Sequence, residues 1–191
     1  MPNHASNMLT ITGPEDEVTR FRKQAVGYGP AWDGEDPKVN GDKPKPLDLN
    51  RFVPVPVKVL NAKKDASSDA FNSGGYGWVC NNWGTKWGCY DTEVDTAVDG
   101  TRLTYRFQTA WSPFNANVLV AMSTMFPKLE FELKFAEMRM GFYGCLCAKG
   151  GEITEEASGR VTDADIEPNT GEPREGGGLD QDYISLLGTS G

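Results

Sequence analysis

Histidine occurs once in the 191-residue chain, at His4. Any arrangement in which an imidazole activates a nucleophile would have to run through the fourth residue, and that class of catalysis is set aside. Cysteine is scarce as well. Cys80, Cys89, Cys145 and Cys147 are too few for a disulfide framework at this length and read as reduced thiols. Their spacing matches none of the usual zinc pairs, so small buried hydrophobes are the expected role, with no metal and no cofactor. No stretch approaches the roughly 18 apolar residues of a membrane helix, and the first residues form neither a cationic nor an apolar leader. A cytoplasmic protein that does not engage a membrane is the expectation.

A basic excess is also missing. The net charge is -8, and it is unevenly placed: ten of the 27 acidic residues but two of the 19 basic ones fall in residues 151–191. Residues 1–150 are formally neutral and show no Lys/Arg cluster, which points away from phosphate-backbone binding and from nucleic acid as a partner. Beyond Gly151 apolar residues are sparse, leaving little burial to offset about 1–2 kcal/mol of backbone entropy per residue. The division expected is a folded domain over 1–150 and an acidic, flexible tail over 151–191. Tyr183-Ile184-Ser185-Leu186-Leu187 is the tail's one adhesive stretch, able to dock on the body or on a partner.

Within the body, Leu9 and Ile11 alternate with threonines as in a short strand. Pro14 and the acidic run Glu15-Asp16-Glu17 suit a helix start, and Val18, Phe21 and Ala25 share one face, giving a helix over about 14–25. Residues 27–50 lack periodicity and read as a solvated loop. Val53, Val55, Val57 and Val59 alternate, but Pro54 and Pro56 limit the segment to an edge strand or an extended segment that pairs on one side only. Leu103, Tyr105 and Phe107 mark another strand, whose core face runs on to Trp111. Ser112-Pro113 offers a cap for a helix carrying Val118, Leu119, Met122 and Met125, ended by Pro127. Leu129, Phe131, Leu133 and Phe135 alternate with charged residues, and after a turn at 138–141 a last strand runs over 142–148. The strand-helix-strand unit at 103–135 predicts a crossover with its two strands parallel. The fold class expected is α+β: a ferredoxin-like mixed sheet with two helices packed on one face, plus the acidic C-terminal tail.

Residues 71–91 concentrate Phe71, Tyr76, Trp78, Trp83, Trp87 and Tyr90 among five glycines. Read as a strand, 82–90 places Trp83, Thr85, Trp87 and Cys89 on one face and Asn82, Lys86 and Tyr90 on the other. Each buried tryptophan removes about 150–250 Å² from water, so the first face is assigned to the core together with Trp111. The second would offer an amide, an ammonium and a phenol above two glycines that permit close approach.

The start Met1-Pro2-Asn3-His4 with Asn7, the segment Tyr76-Gly77-Trp78 followed by Asn82-Trp83-Gly84-Thr85-Lys86-Trp87 and Tyr90-Asp91, and the run Phe107-Gln108-Thr109-Ala110-Trp111-Ser112-Pro113 together resemble the YubB-type ferredoxin-like domain of phage and plasmid proteins. The resemblance covers about residues 1–150 with gaps. It implies the ferredoxin-like topology without an iron–sulfur cluster, an origin in a mobile genetic element with action in the host cytoplasm, and no established activity. The chain departs from the pattern at Phe114, where a second proline is common, and in its acidic tail.

Other motifs carry little. Asp163-Ala164-Asp165-Ile166-Glu167-Pro168 opens like a calcium loop but has proline where the turn glycine is required. Gly74-Gly75-Tyr76-Gly77 lacks the lysine of a phosphate loop. The expected function is therefore non-enzymatic: binding of a host protein, with counter-defence as one context, through Asn3, Asn82, Lys86, Tyr90 and Asp91. One alternative is a charge mimic in which the acidic tail imitates nucleic acid. The other is a small-molecule enzyme with a closed pocket lined by Asn3, Asn82, Lys86 and Asp91.

Overall fold

Phe21 stands at the centre of an aromatic cluster: its ring lies 5.3 Å from Phe52, 5.1 Å from Phe126, 5.5 Å from Phe131 and 6.3 Å from Tyr105. These rings come from a helix, a loop, a helix end and two strands, and their burial ties those elements together. The structure is a computed structural model that describes residues 3–39, 42–62, 68–137, 139–162, 165, 183 and 186.

The strands are β1 (His4–Thr12), β2 (Tyr90–Thr96), β3 (Arg102–Ala110), β4 (Glu130–Glu137), β5 (Phe142–Lys149) and β6 (Glu152–Arg160), and the helices are α1 (Glu15–Ala25), α2 (Val57–Leu60), α3 (Tyr76–Trp83) and α4 (Ala116–Met125). One six-stranded sheet has the order β2-β3-β1-β4-β5-β6. Both β3 and β4 pair antiparallel with β1. They therefore run in the same direction, as expected of strands joined through a helix, but β1 lies between them. Every neighbouring pair is antiparallel, which corrects the expected mixed sheet.

Strand alternation decides which face is covered. Leu9, Ile11, Leu103, Tyr105, Phe107, Phe131, Leu133 and Leu146 share one face, and Val18, Phe21 and Ala25 of α1 with Val118, Leu119 and Met122 of α4 pack against it. The two expected helices thus share one face. The opposite face carries Met8 and Ala136, against which Leu186, with Tyr183, Tyr143 and Val161, packs.

Several local expectations need correction. Leu47 and Leu49, inside the expected solvated loop, are fully buried, and the Gly27 and Lys45 backbones exchange two hydrogen bonds that fold the loop onto the body. The valine alternation at 53–59 does not make an edge strand: Phe52 and Val55 turn inward, and Pro56 opens the single turn of α2. Helix α4 starts after Asn115 rather than Ser112, and Met125 is exposed.

The sheet also runs ten residues past Gly150. Strand β6 pairs with β5 along its length, interrupted by a bulge at Cys147/Ala148. Its polar sequence escaped a strand reading because both of its faces are largely solvated, leaving no alternation to see. Most of the remaining 161–191 segment, including the calcium-like motif apart from Asp165, lies outside the described residues. Tyr183 sits with its ring 4.9 Å from that of Tyr143.

Candidate functional site

Residues 76–83 form helix α3, and the strand expected over 82–90 does not form, since the chain enters β2 only at Tyr90; this rearranges the tryptophans. Val79 and Trp83, four residues apart, are buried on one side of the helix. Trp83 donates its indole N–H to Val53 O at 2.8 Å. Gly84 ends the helix at φ 80°, a left-handed conformation that glycine adopts without strain. A Cβ at that position would fall 2.3 Å from Asn115 Oδ1.

The residues after the cap are fastened to the end of β3. Ala110 N donates to Thr85 Oγ1 at 3.0 Å, and Thr85 Oγ1 donates to Ala110 O at 3.2 Å. Ser112 Oγ donates to Gly84 O at 2.7 Å, and Asn115 N donates to Trp83 O at 2.8 Å. Thr109 Oγ1 donates to Ser112 O, and Asn7 Nδ2 donates to Thr109 Oγ1, so β1 holds the same turn from below. Trp111, at the apex, has φ 69°, an outlier for a bulky side chain. Its N–H donates to Asn3 O at 2.8 Å. This lattice turns Trp111 out of the sheet.

The result is an exposed aromatic surface around one ammonium. Lys86 Nζ lies 4.7 Å from the ring centre of Trp87, 5.7 Å from Tyr76 and 5.9 Å from Trp111, within the range of cation–π attraction. Tyr76, Trp87 and Trp111 are 41%, 42% and 36% exposed, which overturns the assignment of Trp87 and Trp111 to the interior. Trp83 does lie inside. Tyr90 continues the row, with its ring 6.3 Å from Trp87 and its hydroxyl 2.7 Å from His4 Nδ1. Burial, with a smaller contribution from the Asp91 carboxylate, pushes the Tyr90 phenol up to about 12. On the other side of Lys86 a cleft of about 180 Å³ is lined by Trp32, Phe71, Trp83, Trp87, Lys45 and Lys86.

The structure brings three of the five sequence-predicted residues to this surface. Lys86 is its centre, Tyr90 borders it, and Asn3 anchors Trp111 through its backbone. Asn82 is occupied elsewhere: its amide donates to Trp78 O, and its own carbonyl accepts from Asn117 Nδ2. Asp91 occupies a bulge of β2, where one extra residue between Tyr90 and Glu93 accounts for its φ of 48°. Of the four residues named for the alternative of a closed pocket, Asn3, Asn82, Lys86 and Asp91, Lys86 lines this cleft and the other three do not. Tyr76, Trp87, Trp111 and His4 were missed as contributors. The signal available was the Gly84–Gly88 bracket, since two glycines around a tryptophan favour a loop that exposes it.

Thiol chemistry finds no support in the geometry. Cys147 shares the open sheet face with Cys145, and burial, followed by the nearby Cys145, Glu132 and Glu155, pushes its thiol up to about 11. Such a group stays protonated at neutral pH. Among the described residues no cluster of three metal-ligating side chains occurs.

Residues 83–172 match the family model of the ferredoxin-like domain in Api92-like protein. The matched segment begins at Trp83, takes in Lys86, Trp87, Tyr90 and Trp111, and runs through β6. The solved structure of protein api92 from Yersinia pseudotuberculosis superposes on 85% of this chain and 99% of its own, with a TM-score of 0.54 and 11% sequence identity. That likeness is one of fold, and the chain has the ferredoxin-like α+β architecture. No curated protein matches the chain. Among the described residues no helix is long and apolar enough to cross a membrane.

Proposed function

We propose that the chain is a non-enzymatic binding protein, of the YubB type carried by phages and plasmids, that captures a host protein in the host cytoplasm through the surface around Lys86. The observation that carries this reading is the exposure of Tyr76, Trp87 and Trp111 around a single ammonium. Large aromatics left in water, with a cation held among them, have the composition of a binding hot spot. The formal neutrality of residues 1–150 favours a protein partner over nucleic acid.

The test is capture from bacterial lysate with wild type, Lys86→Ala and Trp87→Ala, compared by quantitative mass spectrometry. Partners retained by wild type and lost from both variants support the reading; identical profiles from all three would refute it. Charge mimicry remains a second reading because Glu152, Glu155 and Glu156 lie exposed along β6. Capture through those carboxylates would weaken steeply with salt and survive Lys86→Ala.

A further inference from the structure

The cleft beside Lys86 has the size of one side chain. Its volume is about 180 Å³, whereas sites for small molecules run to about 300–1,000 Å³. Buried Val79 and Trp83 line its base, and the part-exposed rings of Trp32, Phe71 and Trp87 line its walls. The walls are preformed. Trp32 and Phe71 meet edge-on at 5.3 Å, and Gly75 leaves the Trp32 ring its place, since a Cβ there would fall 2.5 Å from it. The Asp33 carboxylate accepts from Ala70 N at 3.2 Å, tying together the two segments that carry those rings.

Two ammoniums border this apolar cleft. Lys86 Nζ stands 4.7 Å from the Trp87 ring centre, and Lys45 Nζ stands 3.9 Å from where a Cβ on Gly29 would lie, next to Pro30 on the rim. The backbone pairing of Lys45 with Gly27, at 2.7 and 3.2 Å, holds it there. Both lysines are half-buried, and among the described residues neither forms an ion pair. The carboxylates of the surrounding segments accept from backbone amides instead: Asp33 from Ala70, Asp48 from Gly29 and Asn50, Asp69 from Asn72. The acidic strand β6 is no substitute. It lies at the opposite border of the sheet from β2, which the chain enters soon after Trp87. At about 4.8 Å per strand that is roughly 24 Å, well beyond a screening length of about 8 Å at physiological salt.

We infer that the cleft takes one large apolar side chain from an acidic segment of the partner protein, with the flanking carboxylates paired to Lys45 and Lys86. This rests on the reading of the surface as a protein-binding site and adds the partner's chemistry to it. The anchor displaces water from Trp32, Phe71 and Trp87, and the two ammoniums, already partly stripped of water by the rings, gain charge-assisted hydrogen bonds. Basic or uncharged segments forgo that pairing, so the lysines select by charge where the cleft selects by size.

The experiment titrates the full chain with three capped pentapeptides, Asp-Asp-Leu-Asp-Asp, Asn-Asn-Leu-Asn-Asn and Asp-Asp-Ala-Asp-Asp, and with oligothymidylate, following backbone amide shifts by NMR. The acidic leucine peptide is expected to shift residues around the cleft saturably. It should bind at least about fivefold more tightly than the amide peptide, and about tenfold more tightly than the alanine peptide, which lacks the buried anchor. Lys45→Gln, whose fold the same spectra verify, should weaken the acidic leucine peptide about fivefold and leave the amide peptide unchanged; Lys86→Gln repeats the test from the other wall. No saturable shift, equal affinity for any two of the peptides named, or tighter binding of oligothymidylate overturns the inference. So does unchanged acidic-peptide affinity in either lysine variant, or a loss that the amide peptide shares. Lysate capture abolished by Trp87→Ala would then still uphold a protein-binding surface, while peptide binding weakened by Lys45→Gln upholds the inference even if the lysate yields no partner.

Discussion

The Thr85 hydroxyl and the Ala110 backbone satisfy each other, with Ala110 N donating to Oγ1 at 3.0 Å and Oγ1 donating to Ala110 O at 3.2 Å. One buried side chain thereby replaces a missing strand partner at the end of β3, and it fixes the turn that carries Trp111. Thr85→Val keeps the shape but strands both backbone groups, each worth about 1–3 kcal/mol when buried and unpaired. Loss of about 2 kcal/mol or more is expected by urea denaturation, with Thr85→Ser close to wild type. Equal stability of the valine and serine variants would show that this pair does not hold the turn.

Tryptophan exposure can be read directly. Trp87 and Trp111 are partly open to solvent and Trp83 is buried, so acrylamide should quench a fraction of the fluorescence readily. Replacing Trp87 and Trp111 with phenylalanine is expected to remove most of that accessible fraction, whereas Trp83→Phe leaves it in place and lowers stability, because the indole N–H bond to Val53 O is lost.

Alkaline pH tests the Tyr90 environment. Its phenol titrates near 10 when unfolded and is raised to about 12 in the fold. Below pH 10 both states hold the proton, and the contribution to stability is fully present. Between about 10 and 12 the unfolded chain releases the proton while the fold retains it, so stability falls as pH rises. Tyr105 and Cys89, both raised mainly by burial, act with the same sign. Tyr90→Phe should make the decline shallower without abolishing it; a slope identical to wild type would contradict the raised phenol.

Cys147 offers a further check. With its thiol raised to about 11, chiefly by burial, little thiolate exists at pH 8, and carboxamidomethylation by iodoacetamide should run at least about tenfold slower than for a free cysteine. Peptide mapping over time would establish the rate. Rapid modification at Cys147 in the folded protein would mean that the thiol is neither buried nor depleted of thiolate.

How much could be read from the residues alone depended on whether one face of an element met water. Strand β3 and the first half of β4 alternate clearly, and α1 buries one face, because one side is core and the other is not, whereas β1 and β5 hold runs buried on both faces and were read from their apolar residues. Strand β6, largely solvated on both sides, offers no such contrast, and Leu47 and Leu49 are isolated apolar residues among prolines and charges. The candidate surface was half legible. Lys86, Tyr90 and Asn3 were named for it, but the strand parity that grouped Lys86 with Tyr90 does not hold, because 76–83 is helical and 84–89 is irregular. Trp111 was unreadable as a surface residue, since its left-handed backbone is held by long-range bonds, its own N–H to Asn3 O and those of Thr85 to Ala110 and Asn7 to Thr109 beside it.

The two outermost strands are both guarded by acid. Strand β2 carries Asp91, Glu93 and Asp95, and β6 carries Glu152, Glu155 and Glu156, while arginine enters only at Arg160. An unpaired strand border invites a neighbouring molecule to zip on, and carboxylates set along it turn that neighbour away. Neutralising them by acidification or by amide substitution removes the repulsion. Edge-to-edge stacking of copies into one continuous ribbon is then the expected failure, which the six border carboxylates oppose by charge alone.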